Sequence, residues 1–416
     1  MNRSSTRLLT LLFTLLLLAM PAAAQDLDLL IENGHVIDPK NGIDGVMDVG
    51  IADGRIADVS PDIDAARADR VVDASGLYVT PGIIDLHVHA FHGTEPDAYI
   101  SNSFTSVPPD AFTFRAGVTT AVDVGSAGWR NMRTFVEQTV NHADTRVLAF
   151  VNIVGSGMKG GAVEQNLRDM DPKLTAMAVE KYPEIVVGVK LAHYMGHDWT
   201  PTDRAVAAGE QAGVPVMVDF GGAEPKLPIR ELFFDHLRPG DIFTHAYANL
   251  DTRESVVDAA GRFQPFVLDA QERGIVFDVG HGGGSFFYSA AVPATQAGFW
   301  PDVISTDLHT GSMNGGMKDM ANVMSKFLSL GMSLPDAIRA STWTPAQVIQ
   351  RTELGNLDVG AEADVAVFRL HEGEFGYADV DDVVLHGDRK LEAELTLRAG
   401  RVVWDLNGIS MPAWNE

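Results

Sequence analysis

Short apolar runs alternate with amphipathic stretches through the middle of the chain, from about residue 81 to residue 350. Apolar positions recur at helical spacing over residues 129–139, 203–212, 229–237, 263–273 and 314–330, where we expect helices. Runs typical of buried strands lie at residues 83–88, 119–124, 147–153, 185–191, 214–220, 241–245, 275–279 and 302–306. Eight strand runs with helical stretches between them predict an α/β fold, a (β/α)8 TIM barrel, with an open doubly wound sheet as the alternative.

The two ends of the chain have a different pattern, in which short alternating runs are separated by turn residues. Residues 29–37 have the pattern of strand, turn and strand, and residues 48–56 that of a hairpin with an Asp-Gly turn. The stretch after Gly355 has the same character. We therefore predict one small β-sandwich domain from residues 25–80 and 351–416, which flanks the barrel at residues 81–350.

The first 24 residues have the pattern of an export signal. Arg3 and Arg7 precede the apolar run from Leu8 to Met20, and small residues follow up to Ala24. This run is shorter than the roughly 20 residues needed to span a bilayer. We expect a secretory signal peptide at residues 1–24, no membrane anchor after its cleavage, and a periplasmic or secreted protein.

Composition narrows the class of protein further. The chain has 416 residues, a formal charge of −25 and no cysteine, and 46% of its residues are hydrophobic. The negative charge argues against a nucleic-acid partner, because phosphate binding needs a basic surface. The lack of cysteine excludes disulfide bonds and thiolate metal sites. We expect a small-molecule partner, and the sequence leaves a monomer and a homo-oligomer both open.

Residues that commonly bind metal ions stand at the ends of several predicted strands. His87 and His89 end the first run two positions apart, and therefore point to the same side of a strand. Asp219, His245 and Asp307 lie at or next to the ends of the fifth, sixth and eighth runs. Because barrel active sites lie at the carboxyl ends of the strands, we expect these side chains to converge. Nitrogen and oxygen ligands without sulfur suit zinc, manganese or cobalt.

Lys190 lies in the apolar fourth run, where a free ammonium group is costly to bury. Burial lowers the pKa of a lysine, and a neutral amine is a nucleophile. Reaction with carbon dioxide would convert it to a carbamate, an anion that can bridge two metal ions. The alternative is a lysine whose amine reaches solvent from the strand end.

Several segments together resemble the amidohydrolase superfamily, specifically its dihydroorotase-like deacetylase branch. The resemblance extends over nearly the whole chain after the signal. It rests on residues 81–89, Lys190, His245, residues 278–282 and 305–309, and more weakly on residues 324–328 and 360–364. This resemblance implies that His87, His89 and Asp307 hold one metal ion, and that carboxylated Lys190 bridges to a second ion held by the fifth and sixth strands.

One position departs from the pattern of that branch. Its members usually carry histidine at the end of the fifth strand, where this chain has Asp219. A carboxylate can also bind a metal ion, so two zinc, manganese or cobalt ions are expected, with a single ion as the alternative. An ionised Asp219 would make the site less positive, and metal-bound water would then be less acidic than in a relative with histidine.

The resemblance also implies a reaction, the hydrolysis of an acyl amide or ester by a metal-bound hydroxide. An N-acyl amino acid or an O-acetyl hydroxy acid would be the substrate, and Asp307 would accept the proton. Candidate substrate-binding residues are His281, His309, His193 and Tyr194.

Other functions stay open at this point. A cyclic-amide hydrolase or a dipeptidase of the same superfamily is the main alternative, and a non-catalytic periplasmic binding protein is another. Dihydroorotases typically have arginine two residues after the second histidine of the first strand, where this chain has Phe91. The presence of Asp307, which a binding protein would not need, favours an enzyme.

Overall fold

The computed structural model describes residues 26–92, 105–220 and 225–414. The predicted signal at residues 1–24 lies outside this part of the chain. Within the three described ranges, no helix combines the length and the apolar character that a membrane crossing requires.

The strands among the described residues range from 2 to 15 residues in length. The strands are β1 Leu29–Asp38, β2 Ile43–Ala52, β3 Arg55–Ser60, β4 Val71–Asp73, β5 Tyr78–Pro81, β6 Ile83–Val88, β7 Val118–Gly128, β8 Arg146–Asn152, β9 Val186–Tyr194, β10 Val216–Phe220, β11 Ile242–Phe243, β12 Val276–Phe277, β13 Val365–Ala378, β14 Val384–Arg398 and β15 Arg401–Asp405. The α-helices are α1 Met132–Phe135, α2 Pro172–Lys181, α3 Thr200–Ala212, α4 Ile229–Glu231, α5 Phe266–Glu272, α6 Tyr288–Gln296, α7 Met320–Leu330, α8 Leu334–Arg339 and α9 Trp343–Val348.

Strands β6 to β12 form a seven-stranded sheet in which neighbours follow chain order. All of the paired strands in it are parallel. The first predicted run, residues 83–88, matches β6 at both ends. Buried apolar side chains from β6 to β11 pack with α9 in one cluster, which holds one face of the sheet together.

The eighth predicted run, residues 302–306, is not a regular strand, but it connects the two edges of this sheet. Val303 forms a parallel bridge with Asp278, and Leu308 forms one with Val88. The backbone N–H of His89 donates to the carbonyl of Leu308 at 2.9 Å. Residues 303–308 therefore lie between the β12 edge and the β6 edge, and they carry Asp307 to the end of β6.

The two chain ends build one sheet together, as the sequence predicts, but the described strands do not form two packed sheets. Eight strands belong to a single mixed sheet, in which β4 pairs with β1 and the others have the order β15-β14-β13-β5-β1-β2-β3. The prediction of a sandwich is wrong because β5 pairs with both β1 and β13, which joins the two chain ends in one hydrogen-bonded layer.

Residues 29–37 are also continuous strand rather than strand, turn and strand. The register of β1 shifts between Ile31 and Gly34, where Asn33 adopts a positive φ of 62°. The Asn33-Gly34 pair is therefore a bulge within β1 and not a chain reversal. The Asp53-Gly54 turn between β2 and β3 is confirmed, with both residues at positive φ.

Candidate metal centre

Two histidines from one strand end and a distant aspartate meet beside the carboxyl end of β6. One ligand atom from each of His87, His89 and Asp307 lies within 4.8 Å of the other two. The Oδ1 atom of Asp307 is 3.0 Å from Nε2 of His89 and 3.6 Å from Nε2 of His87. All three side chains are buried. The structure thus brings together the residues that the resemblance assigns to the first metal ion.

The second ring nitrogens of these histidines face oxygen atoms of the protein. The Nδ1 atom of His87 lies 3.2 Å from a carboxylate oxygen of Asp278, and that of His89 lies 3.2 Å from the hydroxyl of Ser126. Burial lowers the pKa of His87 to about 3, so its imidazole is neutral at pH 7. A carboxylate only accepts hydrogen bonds, so the proton of His87 resides on Nδ1 and the lone pair of Nε2 faces Asp307. An imidazole lone pair facing a carboxylate calls for a cation between them, and this donor set fits a divalent metal ion.

Lys190 lies in β9 with its side chain buried. Its Nζ atom has no hydrogen-bond partner among the described residues. Burial lowers the pKa of Lys190, against the opposing charges of Asp219 and Asp307. The lysine stem passes beside Gly125, where a Cβ atom would lie 2.7 Å from Cγ of Lys190. A buried amine without a partner is costly to keep charged, which agrees with the direction of this pKa shift.

Asp219 at the end of β10 is surrounded by three cationic or potentially cationic groups. Its Oδ2 atom lies 3.3 Å from Nε2 of His245 and 3.4 Å from Nε2 of His193. Its Oδ1 atom accepts a hydrogen bond from Nη1 of Arg253 at 3.1 Å. The Nδ1 atom of His245 donates to the carbonyl of Gly280 at 2.6 Å, which directs Nε2 toward Asp219.

A buried glutamate holds His193 from its other side. The Nδ1 atom of His193 lies 2.9 Å from Oε2 of Glu164, whose other carboxylate oxygen accepts the backbone N–H of Gly160 at 2.7 Å. Burial alone would lower the pKa of His193, but the hydrogen bond to Glu164 and the charge of Asp219 outweigh burial and raise that pKa. The imidazole is thus fixed between two carboxylates.

Three of these residues adopt a left-handed backbone conformation, which is unfavourable for side chains other than glycine. His193 has a φ of 56°, His245 one of 58° and Asp307 one of 50°. Each lies at the carboxyl end of a strand or run, where the left-handed backbone sets the direction in which its side chain projects. Backbone strain of this kind concentrates at functional sites, because the surrounding structure must hold it in place.

Two adjoining cavities open beside these side chains. The inner one has a volume of about 120 Å³, and its lining includes His87, His89 and Lys190. The outer one has a volume of about 400 Å³, and its lining includes Arg253 and the Gly283–Ser285 loop. The residues that line both cavities are His193, Asp219, His245, Asp307 and His309. A small organic molecule in the outer cavity would therefore reach the proposed metal ligands.

The remaining candidates for substrate binding occupy different positions. His309 lines both cavities, and its Nε2 atom is 3.7 Å from Oδ2 of Asp307. The hydroxyl of Tyr194 donates to Asp198 at 2.8 Å, and Tyr194 is not among the described lining residues. His281 is fully buried, with Nδ1 2.9 Å from the carbonyl of Gly282 and Nε2 2.6 Å from Nζ of Lys326. Both ring nitrogens of His281 are thus engaged by protein groups, a geometry that suits a structural role.

Known proteins resemble this chain both in sequence and in fold. Residues 288–402 match the Amidohydrolase family. A deacetylase from Agrobacterium fabrum is 35% identical over 334 residues, which cover 79% of this chain and 79% of the relative. The chain belongs to the amidohydrolase family.

This amidohydrolase is also 29% identical to a deacetylase from Enterococcus faecalis over 384 residues, which cover 91% of this chain and 99% of the relative. The crystal structure of an adenine deaminase is similar, with a TM-score of 0.81 and 28% identity over 91% of this chain and 100% of that one. The crystal structure of a dihydroorotase matches with a TM-score of 0.78 and 30% identity over 91% of this chain and 99% of that one. The family resemblance derived from the motifs is thereby confirmed.

The contacts of four residues at this site could not be predicted from the sequence. Glu164 and Arg253 lie in loops without periodicity, and they reach the site through contacts 29 and 34 positions away. Gly125 and Lys326 belong to apolar segments, β7 and α7. The resemblance marks the segment around Lys326 but not its contact with His281, which only the packing of α7 reveals.

Proposed function

We propose that this amidohydrolase is a metal-dependent hydrolase that cleaves an acyl amide or an acyl ester, as a deacetylase does. The observation that carries the proposal is the convergence of His87, His89 and Asp307, with ligand atoms within 4.8 Å of one another. The relatives named deacetylase match most of the chain and favour this reaction class. The substrate class that we propose is an N-acyl amino acid or an O-acetyl hydroxy acid.

The proposal includes a closed (β/α)8 barrel in which residues 302–308 take the place of the eighth strand. The parallel bridges from Val303 to Asp278 and from Leu308 to Val88 support this closure. In barrels of this type the active site lies at the carboxyl ends of the strands. The proposed ligands stand at those ends, which fits the general rule.

We propose that His87, His89 and Asp307 hold one divalent ion. Asp219 and His245 would hold a second one. Lys190, as a carbamate, would be a ligand of both ions. Its neutral amine can add to carbon dioxide, which forms a nitrogen–carbon bond and releases a proton. The ligands contain no sulfur and suit zinc, manganese or cobalt. When bound, such ions polarise a carbonyl group and lower the pKa of water.

The residues around the ion positions then have separate tasks. The Oδ1 atom of Asp307 faces the two histidines, while Oδ2 faces His309 at 3.7 Å. We propose that Oδ2 accepts the proton of the attacking water and returns it to the leaving nitrogen or oxygen. The Nδ1 atom of His309 accepts the backbone N–H of Gly311 at 3.0 Å, so a neutral His309 carries its proton on Nε2. That N–H is directed at the cavity and can bind an oxygen of the substrate.

A cyclic-amide hydrolase is the second candidate, since the dihydroorotase structure is similar over most of the chain. The residues after His89 argue against dihydroorotase activity itself. Ala90 and Phe91 are buried, and their backbone N–H groups both donate to Asp123, at 2.6 and 3.2 Å. Neither of these two positions offers a charged side chain to bind a substrate carboxylate.

We also propose that the protein is exported and that the mature chain begins at Gln25. The basic start, the short apolar run and the small residues before Ala24 support this. Intact-mass measurement on the secreted or periplasmic protein tests it, and retention of residues 1–24 in that fraction would contradict it.

The test of the proposed reaction is a substrate screen on purified protein. Metal-free protein prepared with a chelator should have no activity on N-acetyl amino acids or O-acetyl hydroxy acids, and zinc, manganese or cobalt should restore it. Release of acetate provides the measurement. Restoration of activity on cyclic amides alone would favour the second candidate, and activity that survives complete metal removal would overturn the proposal.

A further inference from the structure

We propose that His193 is a nitrogen ligand of the second metal ion, in place of the family histidine that this chain lacks at the position of Asp219 in β10. The inference rests on the proposed function, because it concerns the ion position beside Asp219 and His245. It assigns to His193 a role in metal binding, whereas its position in the sequence suggests contact with substrate.

The first observation is a bulge in β9. Asp219 pairs with Ala192, whereas the next residue, Phe220, pairs with Tyr194, so His193 is an extra residue in β9. In a regular strand His193 would point to the face opposite Lys190. The bulge and the φ of 56° turn the imidazole back, and its Nε2 atom reaches Oδ2 of Asp219 at 3.4 Å. A strained backbone thus places a second side chain of β9, in addition to Lys190, beside the same ion position.

The second observation is the carboxylate behind His193. The carboxylate of Glu164 is buried and lies 2.9 Å from Nδ1 of His193. Because a carboxylate only accepts hydrogen bonds, Nδ1 carries a proton, and a neutral His193 presents the lone pair of Nε2 to the cavity. Metal-binding histidines usually have such a partner, which fixes the tautomer and makes the ligand more basic.

The third observation is that His245 has the same arrangement. Its Nδ1 atom donates to the carbonyl of Gly280 at 2.6 Å, and its Nε2 atom lies 3.3 Å from Oδ2 of Asp219. Two imidazole nitrogens therefore face one carboxylate oxygen. Two neutral imidazoles in these tautomers would bring lone pairs against a carboxylate, and a cation among these atoms removes that repulsion.

The distances agree with this interpretation. Two ligand atoms of a tetrahedral zinc ion, with bonds of about 2.0–2.2 Å, are separated by about 3.3–3.5 Å. The separations of 3.4 Å for His193 and 3.3 Å for His245, each measured to Asp219, match this value. The alternative is an imidazolium at His193 that forms ion pairs with Glu164 and Asp219, in which case the side chain would not contribute to metal binding.

The experiment compares metal binding in four proteins. The wild type, His193→Gln, Glu164→Gln and His197→Gln are purified, and bound zinc per chain is measured after removal of free metal. Cobalt titrations followed by absorption spectroscopy give the affinity and the ligand field of each ion. His197 is a matched control, because it lies four positions beyond His193 and is exposed. Circular dichroism checks the fold, and His193→Asn replaces His193→Gln if that chain does not fold.

We expect two zinc ions per chain in the wild type and in His197→Gln. In His193→Gln the second ion should bind at least tenfold more weakly, and the cobalt spectrum should change. Removal of a partner behind a metal ligand typically weakens metal binding about 10–100-fold, so Glu164→Gln should also bind the second ion more weakly than the wild type.

Two outcomes would overturn the inference. The first is a His193→Gln protein that binds two ions with wild-type affinity and spectrum, whether or not its KM for substrate has risen. The second is a wild type that binds a single ion, which would leave the proposed function intact because His87, His89 and Asp307 suffice for one ion. Failure of the proposed function is separate, since it would appear as a metal-loaded protein without hydrolase activity.

Discussion

The guanidinium of Arg253 donates a hydrogen bond to Oδ1 of Asp219 at 3.1 Å, and both side chains are buried. The negative charge at the position of the family histidine is therefore accompanied by a positive charge from a different loop. Asp219 alone would make the site less positive than a histidine would, but the charge of Arg253 offsets that of Asp219. The pair of Asp219 and Arg253 has no net formal charge, like a neutral histidine, whereas Asp219 by itself is negative.

Loss of Arg253 should destabilise the fold. In Arg253→Gln the buried carboxylate of Asp219 loses its guanidinium partner, and breaking a buried ion pair costs about 3–5 kcal/mol of unfolding free energy. Urea denaturation of the metal-free protein measures this. Arg262→Gln is the control, because Arg262 pairs with Asp258 at the surface, where solvent screening leaves such a pair little effect on stability. Equal losses in the two variants would contradict the prediction.

Replacement of Asp307 should impair turnover more than folding. Asp307→Asn keeps the size of the side chain but removes the base, and a general acid–base group typically contributes about 10²–10⁴-fold to the rate. We expect a loss of kcat in this range, with metal content measured in the same samples. A variant that binds metal and keeps near wild-type kcat would show that Asp307 is not the proton acceptor.

Replacement of Lys190 should remove the proposed carbamate. We expect Lys190→Ala to lose bound metal and activity, and short carboxylic acids that fit the vacated space to restore part of both. Carbon-13 NMR of wild-type protein supplied with labelled bicarbonate provides a direct measurement. An unlabelled Lys190 in a fully active, metal-loaded protein would refute the modification.

Gly125 should be necessary for the position of Lys190. Gly125 has a φ of 87°, and a Cβ atom there would lie 2.7 Å from Cγ of Lys190. Gly42 has a φ of 65°, and a Cβ atom there would meet no described atom within 4 Å, so Gly42→Ala carries only the backbone cost of about 1–2 kcal/mol. We expect Gly125→Ala to lose more stability than Gly42→Ala and, unlike it, to bind less metal. Unchanged metal affinity in Gly125→Ala would argue against a tightly constrained Lys190.

Stability should rise with pH above neutrality because of Lys326. Burial lowers the pKa of Lys326 to about 7, whereas an amine in an unfolded chain has a pKa of about 10.4. Between these values the unfolded chain binds more protons than the folded one, so the unfolding free energy increases with pH by at most about 1.4 kcal/mol per unit. Denaturation of the wild type and Lys326→Met from about pH 7 to about pH 9 measures the difference. Parallel pH dependences in the two proteins would contradict the assignment.

The sequence predicts the regular parts of this molecule better than the contacts between them. The run at residues 83–88 matches β6, a strand whose six side chains are all buried and whose Ile84, Leu86 and Val88 form one continuous apolar face. The run at residues 302–306 is just as apolar at its centre, yet it makes only isolated bridges with its neighbours. The sequence pattern does not predict helices α2 and α6, whose short apolar faces are hard to separate from loops by periodicity.

In the site, too, the sequence predicts what depends on spacing along one strand and misses what depends on contacts between distant segments. His87 and His89 can be predicted as a pair of ligands because residues two positions apart on a strand point to the same face. The position of His193 depends on a bulge relative to β10, and no local pattern in β9 predicts a register shift. Glu164 and Arg253 act through side chains that meet across loops, which is information held by tertiary packing alone.

Residues 303–308 bridge both edges of the parallel sheet, and this has a consequence for the order in which the protein assembles. Thr306 donates from its hydroxyl to Asp85 across 221 positions of chain, beside the place where Asp307 meets His87 and His89. Contacts so distant along the chain form late, since closing long loops is costly in entropy. A nascent chain that lacks its last third has two imidazoles and no carboxylate to complete the cluster. The cluster of His87, His89 and Asp307 is therefore completed at the end of folding, and retention of a metal ion at this cluster would show that the chain has reached its native state.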